Sequence, residues 1–256
     1  METSYRSATT YSDIEDIKRL DFIVNSIKAM NNPDAKILDI GCGNGNISLA
    51  LGSLGYNVTG VDIDQASIDT ASSRNTYSNV KFEVLDANSF ALNDAFDAVV
   101  CSEVLEHLHK PYELLESIYR ILKPGGVFAA TVPNGYGPRE MLITRPMQWL
   151  SKHKLDKGMI AFKTILGYSA KTLQSSNEDL THVQFFSVGG FNRLLKGVGF
   201  KALDYQNADF LERIFPFSLF SRRIKALQSF DCWLVDFLPR HFTCGFYTSW
   251  TKLGKQ

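Results

Sequence analysis

Apolar residues recur at helical spacing between Ser12 and Met30, at Ile14, Ile17, Leu20, Ile23, Val24 and Ile27, which predicts a helix with one buried face. Ser12 and Glu15 read as a capping box at its start, and Asn31-Asn-Pro-Asp34 breaks it. Residues 1–11 are polar and read as flexible. Strands are then expected near 36–40, 58–62, 80–85, 96–101 and 126–132. Amphipathic stretches near 45–54, 65–74 and 111–121 fill the gaps as helices. Strands alternating with helices predict an α/β fold with a doubly wound, mostly parallel sheet and helices on both faces. Two later strands are expected near 200–206 and 242–250, which brings the count to seven. The chain divides into an N-terminal helical segment, 1–33, and a domain over 34–256.

The turn after the first strand carries the chemistry. In Ile37-Leu-Asp-Ile-Gly-Cys-Gly-Asn-Gly45 three glycines alternate directly after an apolar run, and Asn46 onward reads as a helix. Strand, glycine turn and helix make the first half of a nucleotide-binding βαβ unit. The dinucleotide fingerprint Gly-x-Gly-x-x-Gly needs a glycine where Asn46 stands. Asp39 precedes the turn, where a carboxylate disfavours a pyrophosphate and welcomes a cation. The second strand ends in Asp62, and a carboxylate at that strand end can accept both hydroxyls of a ribose. The ligand is therefore expected to carry a ribose and a positive charge, without needing phosphate.

With these residues in view the chain resembles the class I S-adenosylmethionine-dependent methyltransferases, closely over about 35–137 and loosely elsewhere. The resemblance implies a Rossmann-like fold whose last strands form an antiparallel C-terminal hairpin. It implies that Asp39, Gly41, Gly43 and Gly45 hold the methionine part of S-adenosyl-L-methionine and that Asp62 holds the ribose. Asp86 and Ala87 would bind the adenine, and Cys42, Ile63 and Ser102 complete the expected cofactor-binding set. Phe96–Cys101 matches the fourth strand of the family, and Leu122-Lys-Pro-Gly-Gly-Val-Phe128 matches the turn into the fifth.

Composition narrows the partners. Twenty-seven basic and 27 acidic residues give a formal charge of zero, so no overall field draws the chain to nucleic acid. DNA is not expected as a partner and RNA is disfavoured, which leaves a small-molecule acceptor. Cys42, Cys101, Cys232 and Cys244 show neither Cys-x-x-Cys pairing nor zinc spacing, and read as free thiols in a reducing compartment. The start lacks the apolar core of a signal peptide, and no apolar run is long enough to span a bilayer. A cytoplasmic protein is expected, with peripheral contact at the inner face of the membrane as an open alternative. That alternative rests on two stretches, about 139–180 and 210–238, that mix basic and apolar residues. By resemblance to the family they are insertions forming a lid over the acceptor, and solvated basic faces on packing helices remain a third reading.

Ser102-Glu-Val-Leu-Glu-His-Leu-His-Lys-Pro111 follows the fourth strand. In one helical turn Glu103, Glu106 and His107 would share a face beside the ligand crevice. Two carboxylates and an imidazole there can bind a divalent ion, with His182 as a fourth ligand. The pattern resembles the ubiquinone-biosynthesis O-methyltransferases and the small-RNA 2′-O-methyltransferases, which implies that Glu103, Glu106, His107 and His182 ligate a divalent metal ion, with Mg, Mn, Fe or Zn as candidates. Without metal, His107 or His182 is the expected general base. His109 reads as a solvated loop residue. O-methylation of a small, hydroxylated, partly apolar acceptor is the expected reaction. The alternatives are N- or C-methylation without metal, a nicotinamide-dependent oxidoreductase on a similar core, and a non-catalytic cofactor-binding module.

Overall fold

A computed structural model describes residues 4–86, 95–146, 149, 182–210 and 224–253. Seven strands form one sheet in the order β3-β2-β1-β4-β5-β7-β6. They are β1 (Lys36–Ile40), β2 (Asn57–Asp62), β3 (Val80–Val84), β4 (Phe96–Ser102), β5 (Leu122–Pro133), β6 (Phe200–Asn207) and β7 (Gly245–Lys252). β1 to β5 pair in parallel, and β7 runs antiparallel to both β5 and β6. The sheet is the expected one.

Alternation along the strands builds two cores. Leu38 and Ile40 point to one face, where α4 (Pro111–Ile121) and α5 (Val188–Val198) deliver Leu114, Leu115, Ile118, Phe191 and Leu195. Ile37 points to the other, where α1 (Ile14–Lys28) and α2 (Asn46–Ser53) deliver Leu20, Ile23, Val24, Ile27, Leu49 and Leu51. The remaining helices are α3 (Gln65–Arg74) and α6 (Lys225–Leu234). α3 starts where Asp64 accepts the Ser67 N–H at 3.0 Å, and α5 starts where Ser187 accepts the Gly190 N–H at 3.0 Å. α4 opens on Pro111, whose missing N–H costs nothing in a first turn.

Two expectations at the N-terminus are overturned. Ser4–Ala8 form a 3-10 turn rather than a flexible tail. Tyr5 is buried, and its hydroxyl donates to Asp21 at 2.8 Å. The capping box does not form: Asp13 holds the N-cap position of α1, and no side chain caps it. Glu15 instead turns into the core, where it accepts the Tyr247 hydroxyl at 2.6 Å beside the buried Arg19. Burial under the sheet outweighs a local cap. All four cysteines are free and buried. No helix among the described residues is long and apolar enough to cross a membrane. The expected lid stretches lie mostly outside the described residues, which include 139–146 and 149 of the first and 210 and 224–238 of the second.

Candidate active site

The site lies at the carboxyl ends of β1, β2, β4 and β5, where the strand order reverses between β1 and β4. After Ile40 the chain turns under the end of β2, and the Gly41 and Cys42 N–H groups both donate to the Val61 carbonyl, at 2.8 and 3.0 Å. Gly41 has φ +69°, and a Cβ there would stand 2.2 Å from Val104 Cγ2. Gly45 has φ +79°, and a Cβ there would meet Phe82 at 2.8 Å and Ala71 at 2.9 Å. Only glycine fits both the dihedrals and the space.

Asp62 closes the loop. Its Oδ2 accepts the Gly43 N–H at 2.8 Å, and its Oδ1 accepts the Asp64 N–H at 2.9 Å. Each oxygen keeps lone-pair capacity for a further donor such as a ribose hydroxyl. Ile63 follows with 61% of its surface exposed, an apolar face beside that carboxylate. Asp86 is half-buried just past β3, and Ala87 lies outside the described residues. Ser102 is buried, with its Oγ 2.9 Å from Thr131 Oγ1.

Asp39 does not reach the surface of the crevice. It is 1% exposed beneath the glycine loop and accepts the Ser48 hydroxyl at 2.6 Å. Burial pushes its carboxyl up to about 7, against the pull of the Ser48 hydrogen bond, and Asp62 adds to the rise. A cation above the loop would draw this group back toward its ionised form. Burial likewise raises the Cys42 and Cys101 thiols, which makes them poor nucleophiles.

Asn46 also has a task. Its Oδ1 accepts the Thr10 N–H at 3.0 Å and Arg74 Nη2 at 2.9 Å, while Arg74 Nη1 donates to the Asn44 carbonyl at 2.6 Å. The residue that breaks the dinucleotide fingerprint thus clasps the N-terminal segment to the glycine loop.

The second constellation differs from its expected form. Leu105–His107 make a short 3-10 turn, and Glu103 stands before it at φ +57°, so Glu103, Glu106 and His107 do not share a helical face. Glu103 Oε1 accepts the Thr131 hydroxyl at 3.0 Å. Glu106, His107 and His182 do meet: one ligand atom from each lies within 4.8 Å of the others. The segment carrying His182 is stapled there by the Val183 and Gln184 N–H groups, which donate to the Glu106 carbonyl at 2.8 and 2.9 Å. The His107 and His182 rings lie edge to face with centroids 5.2 Å apart. Glu106 is 1% exposed, and its carboxylate oxygens accept no hydrogen bond among the described residues. Burial, reinforced by Glu103 and Glu140, holds it well above the usual carboxylate range. His109 is exposed, as expected.

Glu140 is the residue that the sequence pattern did not reveal. It is fully buried, with Oε1 3.4 Å from His182 Nδ1. It belongs to no repeat of spacing with Glu106, and only the fold brings the start of the 139–180 stretch against the cluster. Two imidazoles and a carboxylate with a second carboxylate behind them form a donor set suited to a divalent ion.

The family described as Methyltransferase domain matches residues 15–205, more than half of the chain. A ubiquinone biosynthesis O-methyltransferase of Rickettsia bellii is 31% identical over 174 residues, covering 66% of each chain. One of Pseudomonas fluorescens is 36% identical over 108 residues, covering 40% of this chain and 47% of its own. The chain thus spans between about half and two thirds of the length of these two relatives. Among solved structures, an S-adenosylmethionine-dependent methyltransferase from Mesorhizobium loti superposes with a TM-score of 0.59 at 17% identity, covering 91% of this chain and 100% of its own, a likeness of fold. The matched span contains the glycine loop, Asp62 and the Glu106 cluster, and this chain belongs to the class I S-adenosylmethionine-dependent methyltransferase family.

Proposed function

We propose that the chain transfers the methyl group of S-adenosyl-L-methionine to a hydroxyl oxygen of a small, partly apolar acceptor, and that the Glu106, His107 and His182 cluster activates that hydroxyl. The observation that carries this reading is the convergence of those three ligand atoms within 4.8 Å beside the strand ends. The glycine loop and Asp62 fit the cofactor, since they offer a side-chain-free approach and a carboxylate with acceptor capacity left over. The names of the curated relatives favour oxygen as the atom methylated.

The sulfonium of the cofactor supplies an electrophilic methyl group, and the protein's main contribution is to hold acceptor and cofactor in line. Asp62 anchors the sugar, and Asp39 beneath the loop supplies negative charge under the cationic end. Glu106, His107 and His182 would hold a divalent ion, with Glu140 behind His182. Such an ion lowers the pKa of a neighbouring hydroxyl and stabilises the resulting oxyanion. Two neutral imidazoles favour Zn, Fe or Mn over Mg in this set. In the absence of an ion, either imidazole is positioned to take the hydroxyl proton, and a vicinal diol or catechol is the acceptor that two adjacent bases suit best.

The test is turnover to S-adenosylhomocysteine with a panel of catechols, aliphatic diols and amines, with and without chelator. Methylation of catechol oxygen, lost in His182→Ala, is the expected result. Methylation confined to amines, or full activity in His182→Ala, overturns the reading.

A further inference from the structure

Arg145 is a cation that no acid of the fold claims. Its guanidinium lies against two rings, 4.8 Å from the Tyr136 centroid and 4.7 Å from that of Phe185. Among the described residues it makes no ion pair and no side-chain hydrogen bond, and its Nε is buried without an acceptor. A guanidinium is always charged and carries five N–H donors in a fixed fork. The rings hold that fork in place but accept none of its hydrogen bonds, and a buried donor left unanswered is costly.

The fold sets this cation beside the Glu106, His107 and His182 cluster. Arg145 follows the π-helical turn Glu140–Thr144, and its backbone N–H donates to the Glu140 carbonyl. It therefore stands one turn from the carboxylate behind His182. Phe185 comes three residues after His182, a stretch of at most about 11 Å. The segment from His182 to Phe186 crosses the strand ends. Val183 and Gln184 bond to Glu106 past β4, and the Phe186 carbonyl accepts the Gly135 N–H at 2.8 Å past β5. Gly135 permits the crossing, since a Cβ there would stand 2.6 Å from Phe185 Cα. β4 and β5 are neighbours in the sheet, so cluster and cation border the same part of the crevice. Tyr136 is 57% exposed and forms an open wall there.

We propose that Arg145 binds a carboxylate carried by the acceptor, so that the substrate is a hydroxylated carboxylic acid whose hydroxyl meets the cluster. The assignment rests on the reading of that cluster as the hydroxyl-activating group. A carboxylate matches a guanidinium with two parallel N–H···O bonds and one opposite charge. A phosphate dianion would bring surplus negative charge toward Glu106 and Glu140, both buried close by. The methionine carboxylate of the cofactor is the other candidate anion. The glycine loop expected to receive it follows β1, and β4 stands between β1 and β5.

A matched pair of acceptors tests the proposal, 3,4-dihydroxyphenylacetate against 4-ethylcatechol, with the full chain. The wild type should favour the acid by at least about tenfold in kcat/KM, mainly through KM, and Arg145→Gln should bring the two acceptors within about twofold of each other. Arg145→Lys keeps the charge without the fork and should restore part of the preference. Calorimetry on protein saturated with S-adenosylhomocysteine makes the comparison without turnover. The acid should bind Arg145→Gln at least about tenfold more weakly than wild type, with affinity for S-adenosylmethionine unaltered. Equal binding of the acid by both proteins overturns the assignment, as does an absence of binding to the wild type. So does a loss of S-adenosylmethionine affinity in Arg145→Gln, which would make the cofactor's carboxylate the anion. Arg145-dependent binding of the acid without turnover of either acceptor would count against the role of the cluster and uphold the anchor.

Discussion

The Asp62 carboxylate accepts the Gly43 amide across 2.8 Å, so the group expected to hold the ribose also fixes the shape of the glycine loop. Asp62→Ala should therefore act twice. It removes the sugar's acceptor and releases the Gly43 and Asp64 N–H groups. Hydrogen bonds to a charged group contribute about 1.5–3 kcal/mol each, so affinity for S-adenosylmethionine should fall by about 100-fold. Asp62→Asn keeps one acceptor oxygen and should lose less. Calorimetric titration of the three proteins checks the order, and equal affinities would remove Asp62 from the site.

Asp39 should make cofactor binding depend on pH. Its folded-state pKa is raised from 3.8 to about 7, so between these values the folded chain keeps a proton that the unfolded chain has released. This group's contribution therefore favours folding at low pH and erodes as pH rises toward 7. Asp39→Asn keeps an acceptor for Ser48 and lacks the charge. Its stability relative to wild type should improve on going from pH 5 to pH 8. Cofactor affinity should do the reverse, because a bound cation favours ionised Asp39. Wild-type affinity should rise through pH 7, with proton release on binding near that pH, and Asp39→Asn should flatten the rise. Titrations in buffers of different ionisation enthalpy measure the released proton, and a pH-independent affinity in the wild type would contradict the assignment.

Asn46→Ala should unclasp the N-terminal segment. The substitution removes the acceptor of Thr10 and Arg74 beside a buried position. Loss of these bonds should cost about 2–3 kcal/mol of stability. Amide exchange should quicken at Tyr5 to Thr10 before it quickens in β1. A variant with wild-type exchange there would show that the clasp does not hold the segment.

The sheet was legible because the strands from β1 to β5 alternate with helical stretches and carry apolar cores such as Ile37-Leu38, Val58, Val61, Val99-Val100 and Val127-Phe128, and because glycine at 41, 43 and 45 leaves few alternatives for the turn. The N-terminus was misread because its decisive contacts are distant in sequence. Nothing local at Glu15 announces Tyr247, and nothing at Tyr5 announces Asp21. The Glu103 to His107 segment was misread in a different way. Helical spacing groups its three side chains, but Glu103 adopts a left-handed backbone and bonds Thr131 instead. Glu140 was invisible for the same reason as Tyr247, since its partner His182 lies far along the chain.

Those two readings of the cluster make opposite predictions about Glu103 and Glu140. If helical spacing chose the ligands, Glu103→Gln would weaken metal binding and Glu140→Gln would not. The geometry implies the reverse. Glu140 stands 3.4 Å from His182 Nδ1, where it can orient the imidazole, whereas Glu103 is engaged with Thr131. Glu140→Gln should lower affinity for Zn or Mn by about 10–100-fold, the usual cost of losing an outer partner. His182→Ala should lower it further, and Glu103→Gln should leave it within about twofold. Glu106→Gln adds an independent readout. It removes a ligand and also neutralises a buried carboxylate crowded by Glu103 and Glu140. The metal-free variant should therefore melt higher than the metal-free wild type at pH values above the usual carboxylate range, since the wild-type carboxyl must there either keep a proton or bury a charge near Glu103 and Glu140. Its melting point should also gain nothing from added ion, whereas the wild type is stabilised by any ligand that binds only the folded state. Calorimetry for affinity and thermal melting with and without Zn measure both effects on the same four variants. A wild-type protein that neither binds nor is stabilised by Zn, Mn or Fe would leave the imidazoles as a general-base pair, and the surviving activity of Glu140→Gln would then report how far His182 depends on its carboxylate neighbour.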